Sequence, residues 1–172
     1  MGPKTPNLDR LQDIRYHPAM KDLIRQFNLA PHPEGGFFRE IYRSKQMVWS
    51  DAVSATRAAV TQIYFLLPRG QVSRFHRVAH DEIWHIYQGD PLRLIQFDGS
   101  VLTQTCVGKG CSDYTAIVPA GVWQAAATTG THTLAGCTVA PGFDFTDFCF
   151  LSDHPIHLER FRSLGSGLDA FL

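Results

Sequence analysis

The sequence predicts an all-β domain, a sandwich or closed barrel, flanked by one short helix near each end. Three observations carry this. Apolar residues recur at helical spacing only towards the two ends of the chain. Between them, short segments with a two-residue period follow one another. Turn-forming clusters separate these segments at even intervals, at Pro68-Arg69-Gly70, Gln88-Gly89-Asp90, Asp98-Gly99-Ser100, Gly108-Lys109-Gly110 and Thr129-Gly130-Thr131.

Taken in order, Met20, Leu23, Ile24 and Phe27 mark one face of a helix expected over 17–28, with Pro18 suited to its first turn. Its apolar face is expected to pack on the barrel. In Pro31-His32-Pro33-Glu34-Gly35-Gly36, two prolines fix φ and two glycines permit positive φ, so a turn precedes the first strand, and His32 and Glu34 can rim a pocket. From Phe37 the period becomes two, with Phe37, Arg39, Ile41 and Arg43 on one face and Phe38, Glu40, Tyr42 and Ser44 on the other. Further strands are read over 58–67, 72–78, 82–87, 92–98, 116–118, 123–128, 133–139 and 145–151, giving a barrel spanning 36–151. Ile156, Phe161 and Leu164 mark a closing helix over 155–164. No linker, repeat or low-complexity tract interrupts the chain, so 1–172 is expected to be one domain, and its length suffices for a buried core.

Composition narrows the function classes. Sixteen basic residues balance sixteen acidic ones, which leaves no field to recruit nucleic acid or an anionic membrane. Small ligands or protein partners are expected instead. Without an apolar leader or a run of 18 apolar residues, a cytoplasmic location is expected, with Cys106, Cys111, Cys137 and Cys149 as free, reduced thiols. Cys106 and Cys111, four residues between them, are poorly spaced for structural zinc.

The chemistry concentrates between Gly70 and Gly89. If His76 points inward, strand parity brings Val72, Arg74 and Val78 with it, and turns Ser73, Phe75 and Arg77 away. An inward Glu82 brings Trp84 and Ile86, leaving Ile83, His85 and Tyr87 outside. Unpaired burial of Arg74 and Glu82 would be costly, so this mixed face predicts a solvated or ligand-filled pocket rather than a dry core.

Gly70, His76, Val78, Glu82 and Gly89 resemble the first conserved motif of the cupin superfamily, with Val78 where a second histidine belongs. Pro119, Gly121, Gln124 and Thr128 resemble the second motif, with Gln124 in place of its histidine and Thr128 in place of its asparagine. A closer resemblance, carried by the runs 31–44, 63–89, 118–124 and 140–148, is to the cupin_5 family, also called DUF985. It implies an RmlC-like double-stranded β-helix, or jelly-roll, barrel. It supplies no reaction.

Three functional readings follow. The first is binding of a small polar, phosphate-bearing ligand, a nucleotide or nucleotide-sugar: Arg39, Arg43 and Arg74 can grip phosphate, while Trp84, Phe37 and Phe38 offer flat faces to a base or sugar. His76, Glu82, Arg74, Trp84 and Gln124 are expected to line the cavity. The second, implied by the metal-free epimerases of the superfamily, makes His76 a general base oriented by Glu82, with Tyr64 or Tyr87 as the acid. The third is a metal enzyme using His76, Glu82 and Gln124; it is disfavoured because Val78 donates nothing and Gln124 is a weak neutral donor, so no cofactor is expected. His80, in a turn, and His85, of the wrong parity, are poor replacements. Asp144 and Asp147, three apart, make a poor carboxylate pair on a strand, with Asp144 the better loop contact. The family resemblance also implies a homodimer, which would protect the arginine-bearing strand at Phe37 as an edge.

Overall fold

The computed structural model describes residues 18–172; the start of the first helix at His17 and everything before it lie outside the described residues. Helix α1 runs Pro18–Gln26 and buries Met20, Leu23 and Ile24, with Leu29, against Phe37, Leu66 and Leu134. It ends where Asn28 turns to φ 49°, and the Leu29 amide bonds back to the Ile24 carbonyl at 2.9 Å. A left-handed asparagine at this place is a common helix stop.

Two antiparallel sheets face one another. The six-stranded sheet has the order β1 (Ala30–Pro31), β2 (Phe37–Arg43), β5 (Thr61–Pro68), β12 (His132–Ala140), β7 (Asp81–Gly89) and β10 (Thr115–Val118). The five-stranded sheet has the order β13 (Cys149–Phe150), β6 (Ser73–Arg77), β11 (Trp123–Thr128), β8 (Leu92–Phe97) and β9 (Leu102–Val107). A hairpin, β3 (Met47–Ser50) with β4 (Ala55–Ala58), stands beside them. This is the double-stranded β-helix that the motifs imply. Phe65, Leu67, Trp84, Leu92, Leu94 and Ala126 fill the space between the sheets. Outside the five-stranded sheet, Phe75, Phe97 and Trp123 pack under helix α2 (Pro155–Ser163) and the C-terminal residues, including Phe161 and Phe171.

Some expectations need correction. The hairpin β3–β4 and the strand β9 carry no clear alternation; β9 reads Leu-Thr-Gln-Thr-Cys-Val and lies at a sheet edge, where an exposed strand needs few apolar residues. The strand expected over 145–151 shrinks to the two residues of β13. Asp144 accepts bonds from the Thr146 amide at 2.9 Å and hydroxyl at 2.8 Å, which starts a 3-10 turn, Phe145–Asp147, instead. Cys106 and Cys111 are not free thiols but a disulfide: the turn at Gly108-Lys109-Gly110 brings their Cα atoms to 5.7 Å. Cys137 and Cys149 are free.

Register shifts fall in β7, where Gln88 pairs with Leu134 but Ile86 with Ala135, and in β2 and β6, where they bear on the residues singled out from the sequence. In β2, Glu40 lies opposite Ile63 but Tyr42 lies opposite Gln62, so β2 carries one residue too many. In β6, His76 faces Gln124 while Ser73 faces Ala126, a step of three against two. Past each bulge every side chain changes face.

Candidate functional site

A cavity of about 220 Å³ opens at one end of the barrel. Its floor is Glu34, His76, Glu82 and Cys137; Phe38, Glu40 and Arg43 from β2 form one wall. Phe143, Asp144, Phe145 and Phe148, from the segment joining β12 to β13, form the rim.

Glu34 reaches the floor because of the turn before β2. Gly35 and Gly36 have φ of 113° and 68°, and a Cβ at Gly35 would run into the Val72 carbonyl oxygen. The chain therefore lies directly on β6. There the Ser73 hydroxyl donates to Glu34 Oε1 at 2.8 Å, which it can do because the β6 bulge places Ser73 on the His76 face.

His76 Nδ1 lies 2.7 Å from the Arg74 carbonyl oxygen, so Nδ1 carries the proton and donates. Nε2 is left with its lone pair, 3.2 Å from Glu34 Oε2. Burial pushes the Glu34 carboxyl up to about 8, an effect the Ser73 hydroxyl and the Arg74 charge only partly offset. Burial holds His76 below the ordinary imidazole value, against the opposing pull of Glu82. Burial, reinforced by His76, lowers His32 to about 3. Near neutral pH the site thus holds a protonated carboxyl beside a neutral imidazole whose free nitrogen faces it.

Glu82 is also raised by burial. Gln124 Nε2 donates to its Oε2 at 2.6 Å, and Gln124 Oε1 accepts from Trp84 Nε1 at 2.8 Å. An indole N–H only donates, so Trp84 fixes which end of the amide faces Glu82. The Cys137 thiol, whose pKa burial raises well above its ordinary value, completes the contacts of Glu82.

The residues singled out from the sequence divide into three groups. His76, Glu82 and Val78 line the cavity, as do His32 and Glu34. Trp84 and Gln124 stand one layer behind, holding Glu82. Arg74, Arg39 and Phe37 are elsewhere: Arg74 lies 4.2 Å over the Phe150 ring and donates to the Pro33 carbonyl at 2.9 Å. Arg39 lies 5.6 Å from the Tyr64 ring, and Phe37 is buried under α1. The physical reason is register. On β2 the inward set is Phe38 and Glu40, and the bulge returns Arg43 to their face; on β6 the bulge gives Ser73 the inward place that unbroken alternation assigns to Arg74. The aromatic rim at Phe143, Phe145 and Phe148 was not singled out; its signal was the density of phenylalanine in APGFDFTDF.

Residues 21–151 match the family described as Cupin superfamily (DUF985). The chain belongs to this family. A solved structure from Shewanella oneidensis is 33% identical and superposes with a TM-score of 0.69, covering 80% of this chain and 90% of that one. A hypothetical protein from Leishmania major is 28% identical with a TM-score of 0.72, covering 83% and 96% respectively. An uncharacterized protein of Saccharomyces cerevisiae is 27% identical over 151 residues, 77% of this cupin and 75% of the yeast chain.

The metal set of the cupin motif does not fit these residues. Val78 offers no donor atom, and the Gln124 oxygen is engaged by Trp84. No group of three or more His, Cys, Asp or Glu among the described residues is placed to hold a metal ion. Nor, among the described residues, is any helix of this cupin long and apolar enough to cross a membrane.

Proposed function

We propose that the barrel cavity binds a small hydroxyl- or carbonyl-bearing ligand of sugar type, and that His76 and Glu34 exchange a proton with it. The observation that supports this reading is the pair itself: a bare imidazole nitrogen 3.2 Å from a carboxyl raised to about 8, both facing the same cavity. Two titratable groups displaced so that the acid keeps its proton and the base stays neutral are arranged for acid–base work near neutral pH. A ligand that displaces the contact between them meets a base and an O–H side by side. If it carries a carbonyl, His76 Nε2 takes the proton from the adjacent carbon while Glu34 protonates the carbonyl oxygen. Return of both protons gives back the substrate; delivery of the carbon-bound proton from His76 to the former carbonyl carbon, as the neighbouring hydroxyl gives its own proton to Glu34, gives the aldose–ketose isomer.

Size and charge favour one sugar ring rather than a whole nucleotide. A cavity of about 220 Å³ lies below the roughly 300 Å³ at which pockets for drug-sized ligands begin. Arg39 and Arg74 point elsewhere, and Arg43 is clamped to Glu40 by two bonds of 3.0 and 2.7 Å, so a phosphate finds no open guanidinium inside. A nucleotide-linked sugar is compatible only with its sugar end in the cavity.

Exchange from solvent is the decisive experiment. Aldoses and ketoses incubated with the protein in deuterium oxide are expected to gain carbon-bound deuterium by NMR, and His76→Ala and Glu34→Gln are expected to stop it. Thermal stabilisation without exchange reduces the function to binding; neither stabilisation nor exchange across the panel overturns the proposal.

A further inference from the structure

The charges around the cavity are unequal, and this bears on the ligand. Among the described residues that line it, one guanidinium is present, and Arg43 gives it to Glu40 and, at 3.1 Å, to the Phe143 carbonyl. Four carboxyl groups face that single cation: Glu34, Glu40, Glu82 and Asp144. Glu40 is balanced by Arg43, and Asp144 is occupied in capping Thr146. Glu34 and Glu82 are different. Both are buried, their close partners are neutral or imidazole groups, and no lysine or arginine among the described residues forms an ion pair with either; the Arg74 charge acts on Glu34 from outside the cavity, its guanidinium held by the Pro33 carbonyl and the Phe150 ring. Two buried carboxyls without a directly paired counter-ion are expensive to ionise, and each is a ready partner for a cation that enters the cavity.

The approach to them is aromatic. Phe143 and Phe145 meet edge to face with centroids 4.9 Å apart, and Phe148 lies 6.2 and 6.3 Å from them. Phenylalanine faces carry negative charge density and attract ammonium groups while contributing nothing to an anion.

We infer that the ligand carries a cationic amine beside its hydroxyl groups, an amino sugar being one instance, with the ammonium seated between the phenylalanine rim and the carboxyls of Glu34 and Glu82. This rests on the reading that the cavity is a ligand site, and narrows its ligand class. The ammonium N–H groups donate to a Glu82 carboxylate oxygen and to the carbonyl oxygen of the Glu34 carboxyl, which keeps its proton; the Glu82 proton leaves to solvent, and no covalent bond of the ligand changes. An anionic ligand of the same size would meet carboxyl oxygens and ring faces with no free cation, and is rejected.

The test compares ligands of one skeleton that differ in one group. Glucosamine, glucose and glucuronate form one set; aminobutanol, butanediol and hydroxybutyrate form another. Titration calorimetry and thermal shift on the full chain are expected to rank amine above hydroxyl by about tenfold in affinity and carboxylate last, the tenfold being the scale of one well-placed ammonium contact. In Glu82→Gln and Glu34→Gln, which keep the shape of the site, the amine-to-hydroxyl ratio is expected to fall towards one. Binding of glucose or butanediol equal to or tighter than that of the amines overturns this inference while leaving the cavity a ligand site. Preference for glucuronate and hydroxybutyrate overturns it and reverses the charge argument. A flat response to both sets removes the inference and the sugar-type reading together.

Discussion

At one end of the barrel Phe65, Leu67, Leu92, Leu94 and Val107 close on one another with almost no exposure, while at the other end the same two sheets present Glu34, His76 and Glu82 to a cavity. Three strands run through both ends. Along β5 the inward residues pass from Thr61 and Ile63 at the cavity to Phe65 and Leu67 in the dry half. Along β7 they pass from Glu82 to Trp84 and Ile86, and along β12 from Val139 and Cys137 to Ala135. The backbone is the same throughout; what changes is whether an inward side chain can be satisfied by dispersion alone. The frontier is the chain of bonds from Trp84 through Gln124 to Glu82, which turns an apolar layer into a polar one within a few residues. A dry half makes a polar half tolerable, because it supplies the stability that buried carboxyls remove.

The largest effect belongs to the dry half. Leu94→Ala, at a side chain with no exposure, is expected to lower unfolding stability by about 2–5 kcal/mol in urea or guanidinium titrations. A loss below 1 kcal/mol would mean that half is not tightly packed. At the frontier, Gln124→Leu keeps volume but strands the Trp84 N–H and one Glu82 oxygen, so a loss of about 1–3 kcal/mol is expected. The same variant should alter tryptophan fluorescence, which the Leu94 variant should leave nearly unchanged in the folded state.

The polar half should show itself in pH. The folded Glu34 titrates at about 8 against an ordinary 4.5, so between these values the native state holds a proton that the unfolded chain has released. Stability therefore falls as pH rises through that range. His32, lowered from 6.5 to about 3, acts with the opposite sign: the unfolded chain takes up a proton that the native state refuses, and stability rises with pH up to 6.5. The two oppose one another between 4.5 and 6.5. From 6.5 to 8 the carboxyl acts without that opposition, with a drop of about 1–2 kcal/mol expected for one proton. Denaturant midpoints at the two ends of this window measure it. Glu34→Gln should flatten the drop, with Glu82, raised by the same cause, leaving a smaller residue of it. A wild-type midpoint that does not move over this window would show that Glu34 is ionised in the fold.

The same contrast explains what could be read from the chain. The dry half is periodic, because alternating apolar residues are what a sheet interior requires, and β7, β8 and β11 lie close to the ranges their patterns indicate. His76, Glu82 and Val78 were legible because β7 runs regularly past Glu82 and the motif spacing fixes His76. Arg74 was misplaced because a bulge is a single extra residue with no compositional mark, yet it exchanges the two faces of everything beyond it; Arg39 lies before the bulge of β2, where the alternation holds, and nothing in the pattern marks the Phe38 face as the inward one. Glu34 was readable as a rim residue of a glycine turn, not as a buried acid of the floor. Its burial depends on β6 lying against that turn, a contact between residues 39 apart in the chain. The Cys106–Cys111 disulfide was hidden similarly, since two thiols with four residues between them pair only when a tight turn folds them together.

The smallest effect is therefore also the sharpest check on register. Arg39 lies outside the barrel, its guanidinium over the Tyr64 ring, whereas its neighbour Phe38 faces the cavity. Arg39→Ala removes one exposed-side cation–π contact, so a stability change within about 1 kcal/mol is expected. It should leave the affinity for any cavity ligand where it was. Phe38→Ala, one residue away, should weaken that affinity clearly while Arg39→Ala does not. If instead Arg39→Ala abolishes binding and Phe38→Ala is silent, β2 runs in the opposite register, Phe37 and Arg39 face inward, and the cavity acquires the free guanidinium whose absence the choice of ligand rests on.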